Sequence, residues 1–373
     1  MREKFAHIAA LTIVRLTKTL DLFCRYLLWR FIERLHKLSL FVVKRLPFID
    51  NAQKTRYANL RPKRPQSPSY LPFMNVYYFV LSLFGLKHFP LNEPRKFVFC
   101  RLRNGLNDMF FQVDRCASYA FRYNRLIYID GSKSGFLDDL GRYFTIRERE
   151  REWIRFGTID SLYYQVGYVA DNIVKTKTRE RIVFSITKSC NENILVYEQG
   201  IGGVSAINAL YIFALAPEVR SHIRQIVEKL GDYDAVHIRH SDYKTDYKPF
   251  LKKVIDRARA DRKIALCTDS YEVQRYAAAL FGDRVVCVSR IPDTKGKTLH
   301  ANPDLDRYEI NLVALSDLFV LAGAKNLYMT QIDRYDSNGR VVNVGGKLSS
   351  FGRLAKSLNK RPALLKRLLY GEE

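Results

Sequence analysis

Along most of the chain, short runs of apolar residues alternate with longer segments in which apolar residues recur every three or four positions. The short runs are typical of buried strands, and the longer segments are typical of amphipathic helices. The predicted strands are KFVFCRL (96–102), RLIYID (125–130), RIVFSI (181–186), ILVYEQG (194–200), DAVHIR (234–239), KIALCTD (263–269), RVVCVS (284–289) and KNLYMT (325–330). Strands that alternate with helices indicate parallel sheets, so the pattern predicts an α/β fold.

The helical periods fall between these strands. They predict helices over MFFQVDRCASYAFRYN (109–124), PFLKKVIDRARA (249–260), SYEVQRYAAALF (270–281), YEINLVALSDLFVLAGA (308–324) and SSFGRLAKSL (349–358). The segment 210–230 predicts one or two helices, with a break at Pro217 because proline interrupts a helix interior.

The first 70 residues have a different pattern. One apolar stripe with helical spacing runs through Leu20, Cys24, Leu28, Phe31, Leu35, Leu38 and Val42, and basic residues interrupt it. Its uncharged runs are shorter than the ~20 residues that a membrane-spanning helix needs, and it has no signal-peptide pattern. A basic amphipathic helix suits an anionic membrane surface. Packing on the protein or on a second copy, and nucleic-acid binding, are the alternatives. The proline-rich segment 61–72 then predicts a linker.

Charge and cysteine content indicate the class of binding partner and the cellular compartment. The formal net charge is +24, and residues 1–70 contribute fifteen Lys and Arg against four Asp and Glu, a net charge of +11. Such a chain is expected to bind polyanions: nucleic acid, anionic lipid or phosphorylated small molecules. The six cysteines form no CxxC pair, which predicts reduced thiols, no zinc site and a cytoplasmic protein, peripheral on the inner face of the cytoplasmic membrane if the arm binds lipid.

A chain of 373 residues is longer than a single hydrophobic core usually accommodates, so two domains with extensions are expected. We predict a helical arm and linker over 1–70, one α/β domain over 71–231 and a second over 232–373.

Three polar residues end predicted strands of the second domain, namely Arg239, Asp269 and Thr330. Ligands of parallel sheets bind at the carboxyl ends of the strands, so these residues are expected to face one crevice. Arg239 could bind a diphosphate through charge-assisted hydrogen bonds, or pair with Asp242 or Asp246. Asp269 is either a ligand contact or a helix N-cap.

Two further positions have chemistry that fits a nucleotide. Asp317 lies off the apolar stripe of its predicted helix, and a carboxylate can accept N1–H and the 2-amino group of guanine; the alternative is a solvated helix acid. The turn NGLND (104–108) places Gly105 at a predicted helix start, where backbone N–H groups can approach a phosphate.

The motif order RNGLNDMFFQ…NRLIYID, AVHIRHSDY, IALCTDS, TLH…ALSDLFVLAGAKNLYM and LSSFGRLA resembles the α1,6-fucosyltransferase and protein O-fucosyltransferase superfamily, especially the bacterial nodulation-type α1,6-fucosyltransferases. The resemblance covers roughly residues 96–360. It implies a GT-B-like architecture of two Rossmann-like domains, with the acceptor on the N-terminal one and GDP-fucose held mainly by the C-terminal one. It also implies an inverting transfer that needs no metal or other cofactor.

The same resemblance implies roles for individual residues. Arg239 would bind the donor β-phosphate and stabilise the departing GDP, His237 would support the nucleotide, and Asp317 would contact guanine. The remaining donor-site residues would be Gly105, Leu106, Asn107, Asp269, His300, Ser349 and Ser350. The run His240, Ser241, Asp242 departs from the family, where a second basic residue often follows the arginine. The general base is left open among Asp242, Asp246 and Asp108.

The function predicted from these residues is a GDP-fucose-dependent fucosyltransferase acting on a glycan hydroxyl. If the arm lies on a membrane, the acceptor would be a lipid-linked or cell-envelope oligosaccharide. The alternatives are transfer from another GDP-sugar, a nucleic-acid-binding protein, and a relative that binds the donor without catalysis.

Overall fold

The computed structural model describes residues 6–21, 24, 69–86, 96–158, 189–198, 206–241, 245–289, 291–292, 306–335 and 341–371. The chain divides into two compact units, Met1–Pro90 and Leu91–Glu373. The domain boundaries expected near residues 70 and 231 stay predictions.

The first unit contains a helix over residues 6–21 (α1) and a helix Met74–Leu83 (α2), which a short 3-10 turn, Leu71–Phe73, precedes. Two buried contacts join α1 to α2 and to Tyr70, just before the 3-10 turn. The His7 imidazole and the Tyr77 hydroxyl are 2.5 Å apart, and the Lys18 ammonium lies 3.6 Å from the centroid of the Tyr70 ring.

The opposite side of α1 is apolar and exposed. Ile8, Ile13, Leu16 and Leu20 are 40% to 65% exposed, and so are Phe79 and Leu83 of α2, at 64% and 67%. Leu20 and Cys24 of the predicted stripe are exposed, whereas its members from Leu28 to Val42 lie outside the described residues. None of the described helices has the length and hydropathy that a membrane crossing requires.

The second unit begins with a parallel sheet. Its elements are β1 (Phe97–Arg101), α3 (Leu106–Tyr123), β2 (Leu126–Asp130), β3 (Phe144–Ile146), β4 (Ile154–Phe156), β5 (Ile194–Tyr197), β6 (Phe213–Leu215) and α4 (Pro217–Leu230). The four parallel strands have the order β4-β2-β1-β5, and β3 pairs with β6 in a separate antiparallel ribbon. Alternate residues of β1, β2 and β5 pack into one apolar cluster: Phe97, Phe99, Leu126, Tyr128 and Ile194.

A second parallel sheet follows. Its elements are β7 (Tyr233–Ile238), α5 (Tyr247–Arg257), β8 (Lys263–Thr268), α6 (Tyr271–Phe281), β9 (Val285–Cys287), α7 (Arg307–Gly323), β10 (Leu327–Met329), β11 (Ile332–Tyr335), β12 (Val341–Lys347), α8 (Ser350–Asn359) and α9 (Pro362–Tyr370). The parallel strands have the order β10-β7-β8-β9, and β11 pairs with β12 in an antiparallel ribbon. The prediction of an α/β fold with two parallel sheets, preceded by a helix, is therefore confirmed.

The helical prediction for 210–230 is partly wrong. Residues before Pro217 form a 3-10 turn, Ile207–Tyr211, and the strand β6. Pro217 is the first residue of α4 and breaks no helix; the first position tolerates proline because its N–H would have no partner within the helix. The predicted strand 181–186 lies outside the described residues.

The two sheets of this unit present their carboxyl edges to each other. Residues 131–143 follow the carboxyl end of β2 in the first sheet. Helix α7 begins on the carboxyl side of the second sheet, because a helix that connects two parallel strands runs antiparallel to them. The buried Asn311 of α7 donates to the Phe136 carbonyl and to the Tyr143 hydroxyl, both at 3.0 Å. The carboxyl-side segments of the two sheets are thus in contact through Asn311.

Candidate active site

Three strand-end residues lie along the carboxyl edge of the second sheet. The register pairs His237 of β7 with Cys267 of β8 and with Met329 of β10, so Arg239, Asp269 and Thr330 follow neighbouring strands. These three residues therefore share one edge of the sheet, and the expectation that they face one crevice stays a prediction. Arg239 is partly exposed, as a side chain that binds a ligand in a crevice must be.

The Asp269 carboxylate organises the loop that carries Arg239. Its Oδ1 accepts hydrogen bonds from the backbone N–H of His240 at 2.7 Å and of Ser241 at 3.2 Å. Its Oδ2 accepts from the Ser241 hydroxyl at 2.6 Å and lies 4.0 Å from Nε of Arg239. In this structure Asp269 is a loop anchor. The N-cap of α6 is Ser270, whose hydroxyl accepts from the Val273 N–H.

The start of α8 lies against His237. Ser349 is the N-cap of this helix, and its hydroxyl accepts from the Gly352 N–H at 2.9 Å. A Cβ at Gly352 would lie 3.1 Å from Oγ of Ser349 and 3.2 Å from Nδ1 of His237, which explains the glycine. The His237 and Phe351 rings are 5.5 Å apart. Burial lowers the pKa of His237 to about 4 against the opposing charge of Asp269, with a smaller contribution from the charge of Arg239, so its imidazole is neutral at pH 7.

The predicted solvated alternative for Asp317 does not hold, because its side chain is buried and 8% exposed. The Ser289 hydroxyl donates to Oδ1 of Asp317 at 3.2 Å. Burial raises the pKa of this carboxyl to about 7, although the Ser289 hydrogen bond acts in the opposite direction. A buried acid with a pKa near neutrality in a crevice is characteristic of functional sites.

The first sheet contributes the start of α3. Gly105 is its exposed N-cap, has an ordinary φ of −75°, and a Cβ there would meet nothing within 4 Å. Leu106 and Asn107 are buried, and Oδ1 of Asn107 accepts from the Ala206 N–H at 3.3 Å. Oδ1 of Asp108 is buried and bonds to no described residue.

Of the remaining predicted site residues, Asp246 and Ser350 are described by the structure and Asp242 and His300 are not. Asp246 is exposed at the start of α5 and makes no capping hydrogen bond. The half-buried Ser350 accepts from the Arg353 guanidinium at 2.9 Å. Asp242 and His300 lie outside the described residues. The roles of all these residues in binding or catalysis stay predictions.

One polar cluster was not predicted from the sequence. Glu198, directly after β5, accepts hydrogen bonds from Arg101 at 3.0 Å and from Arg103, and Asp130 lies 3.7 Å from Nε of Arg101. Burial alone would raise the pKa of Glu198, but the hydrogen bonds from Arg103 and Arg101 outweigh it and lower the pKa. The acid at the end of ILVYEQG is the signal that would have identified it.

Within the described part of the chain, no group of three His, Cys, Asp or Glu side chains is placed to hold a metal ion.

No protein-family model and no curated protein matches the sequence. Solved structures are similar to this chain. A NodZ α1,6-fucosyltransferase co-crystallised with GDP is 19% identical, with a TM-score of 0.48, over 71% of this chain and 92% of that one. Fucosyltransferase NodZ from Bradyrhizobium is 19% identical, with a TM-score of 0.47, over 71% and 93%. A mutant of Arabidopsis thaliana FUT1 in complex with GDP is 12% identical, with a TM-score of 0.43, over 84% of each chain.

Proposed function

We propose that the protein is a glycosyltransferase that transfers fucose from GDP-fucose to a glycan hydroxyl, with inversion and without a metal ion. The observation that carries this proposal is the position of Arg239 at the carboxyl edge of the second sheet, in a loop that Asp269 fixes. We place His237, Ser349 and Asp317 in the same donor site. A fixed guanidinium, a helix start and a buried acid are the parts that a guanosine diphosphate needs. Fucose as the sugar follows from the motif resemblance.

In this proposal the pyrophosphate lies between Arg239 and the start of α8. The guanidinium supplies paired donors, and the positive end of the helix dipole favours an anion. Asp317, when ionised, accepts from N1–H and the 2-amino group of guanine. His237 is neutral, so it can support the nucleotide as a hydrogen-bonding group and adds no charge. Gly105 leaves open space through which the donor could pass close to the α3 backbone.

The reaction is a displacement at the anomeric carbon of fucose. The bond from this carbon to the β-phosphate oxygen breaks, and its electron pair leaves with GDP. Arg239 stabilises the charge that develops on that oxygen, a task that metal ions perform in other transferases. The acceptor hydroxyl oxygen forms the new bond on the opposite face, and its proton passes to a carboxylate. Asp108, Asp246 and Asp242 are the candidates for this base.

The acceptor is proposed to be an oligosaccharide carried by a lipid or by the cell envelope, at the inner face of the cytoplasmic membrane. The exposed apolar residues of α1 and the net charge of +11 over residues 1–70 support this location. Apolar side chains can enter the interface while basic residues contact anionic headgroups.

Thermal-shift titration with GDP, ADP, UDP and an oligonucleotide tests the donor site. We expect stabilisation by GDP above ADP and UDP, lost in Arg239→Ala and kept in Arg275→Ala, which removes an exposed arginine of α6. Salt-sensitive oligonucleotide binding with no response to GDP would favour the nucleic-acid alternative. GDP binding without GDP release from GDP-fucose, in the presence of glycans, would indicate a binding protein.

A further inference from the structure

The Asp317 carboxylate is buried, which disfavours its ionised form. It belongs to α7, whose residues Leu315, Ser316, Leu318 and Phe319 are all buried with it. A charge in such surroundings is expensive unless it is hydrogen-bonded. The Ser289 hydroxyl donates to Oδ1 of this carboxylate at 3.2 Å, and a weaker side-chain hydrogen bond from Cys267 also lowers its pKa.

Ser289 is itself held in place. It follows β9 and is buried. The buried amide of Gln274, on α6, donates to the Ser289 carbonyl at 2.6 Å and accepts from the Ile291 N–H at 3.2 Å. Gln274 therefore fixes the backbone on both sides of residue 290, and with it the direction of the Ser289 hydroxyl.

This arrangement limits how the carboxylate can rotate. A hydrogen bond to Oδ1 from an anchored hydroxyl restricts the carboxylate plane, and an ionised carboxylate has about four acceptor positions, so positions are left for a ligand. A planar acceptor pair of this kind matches two parallel donors on one edge of a base. Guanine has N1–H and the 2-amino group there, and hypoxanthine has only N1–H.

We propose that Ser289, held by Gln274, is the positioning residue that orients the Asp317 carboxylate toward the nucleobase and so selects guanine over bases that lack a 2-amino group. This inference rests on the proposed donor site and adds to it two residues for which no role had been assigned. Ser289 contacts the acid and not the reacting atoms, so its removal should alter base recognition and leave phosphate binding intact.

The hydrogen bond also favours the ionised carboxylate, which is the form that accepts from guanine. Since the pKa of Asp317 is about 7 in the ligand-free protein, donor affinity should rise with pH through about 7 and level off above it. The other titratable groups that act on this carboxyl among the described residues are Asp269, Cys267 and Cys287. Ser289→Ala removes a bond to the charged form, so the midpoint should move to higher pH.

Binding of GDP-fucose, measured calorimetrically between pH 5.5 and 9, tests this shift. GDP-fucose is the better probe because the terminal phosphate of GDP itself ionises near pH 6. Ser289→Ala should raise the midpoint, and Ser289→Thr, which keeps the hydroxyl, should restore it. Ser316→Ala is the matched control: Ser316 is the buried neighbour of Asp317, and its hydroxyl bonds to no described residue.

The preference for GDP over inosine diphosphate at pH 8 is the second readout. Ser289→Ala should reduce it by about tenfold, the value of one hydrogen bond to a charged group, while Ser316→Ala should leave it unchanged. An unchanged midpoint and preference in Ser289→Ala, with GDP-fucose still bound, would overturn this inference and leave the proposed function standing. Absence of guanine-nucleotide binding in the unaltered protein would overturn both.

Discussion

Asp269 and Arg239 lie 4.0 Å apart, carboxylate oxygen to Nε, at the carboxyl ends of two adjacent parallel strands. The contact is a loose ion pair, because Asp269 uses its oxygens mainly to bind the two residues that follow Arg239. The acid therefore positions the arginine through the backbone of the residues that follow it.

The first prediction concerns this anchor. Asp269→Ala removes the acceptor for three hydrogen bonds and frees residues 239–241. We expect a loss of about 1–3 kcal/mol in the free energy of unfolding and GDP affinity reduced by at least about tenfold. Chemical denaturation and calorimetry measure the two effects. Asp261→Ala is the control, because this exposed acid pairs locally with Arg259. GDP affinity unchanged in Asp269→Ala would show that the loop holds Arg239 without this anchor.

Two glycines of the crevice should respond differently to alanine. At Gly352 a Cβ would press on Ser349 and His237, so Gly352→Ala should lower both the melting temperature and GDP affinity. At Gly105 a Cβ has open space and an ordinary φ, so Gly105→Ala should leave the melting temperature within about 2 °C. If the donor binds close to Gly105, the added methyl group should lower the affinity of the Gly105→Ala variant for GDP-fucose. Undiminished GDP-fucose affinity would remove Gly105 from the donor site.

The apolar pattern predicted the parallel sheets because buried parallel strands appear as continuous apolar runs. The apolar pattern did not predict β6, which is three residues long. The sequence FALAP is equally compatible with a helix, and its strand character depends on pairing with Phe144–Ile146, which the sequence does not reveal. The 3-10 turn before β6 has the same cause, as long-range pairing overrides local preference.

Strand-end placement predicted correctly that Arg239, Asp269 and Thr330 share one edge of the sheet, because all parallel strands end at the same edge. It could not show that Asp269 points at the backbone of His240 and Ser241, nor that Ser289 lies beside Asp317, 28 residues away along the chain. Such contacts depend on the packing of α7 against the sheet. Glu198 was missed because its partners, Arg101 and Arg103, are more than 90 residues distant.

A general base must have an oxygen that is free to take a proton. Asp108 has a buried Oδ1 that bonds to no described residue, and Asp246 is exposed without a capping bond. Among Asp108→Asn, Asp246→Asn and Asp242→Asn, we expect one variant to lose about 100-fold or more in kcat while its affinity for GDP stays unchanged. Steady-state transfer assays with calorimetry separate the effects. Near-normal kcat in all three would exclude these acids and direct attention to Glu198.

The exposed face of α1 gives a prediction for membrane binding. Leu16→Ser with Leu20→Ser should reduce partitioning onto vesicles that contain anionic lipid, because about 1.5–3 kcal/mol of apolar burial is lost for each fully inserted leucine. Leu137→Ser, at an exposed leucine of the second unit, is the control. Co-sedimentation with anionic and with neutral vesicles measures the effect. Equal partitioning of the double variant and the unaltered protein would contradict this role, and a change in oligomeric state instead would assign the face to a second copy.

Transfer of sugar to a panel of surface glycans, with GDP-fucose compared against GDP-mannose, tests the central claim most directly. The measured quantities are GDP release and sugar incorporation by the unaltered protein and by Arg239→Ala. We expect glycan-dependent release of GDP and incorporation of fucose, with GDP-mannose inactive and Arg239→Ala reduced to background. Incorporation from GDP-mannose alone, or release of no GDP with any glycan while GDP-fucose binds, would contradict the assignment of this protein as a fucosyltransferase.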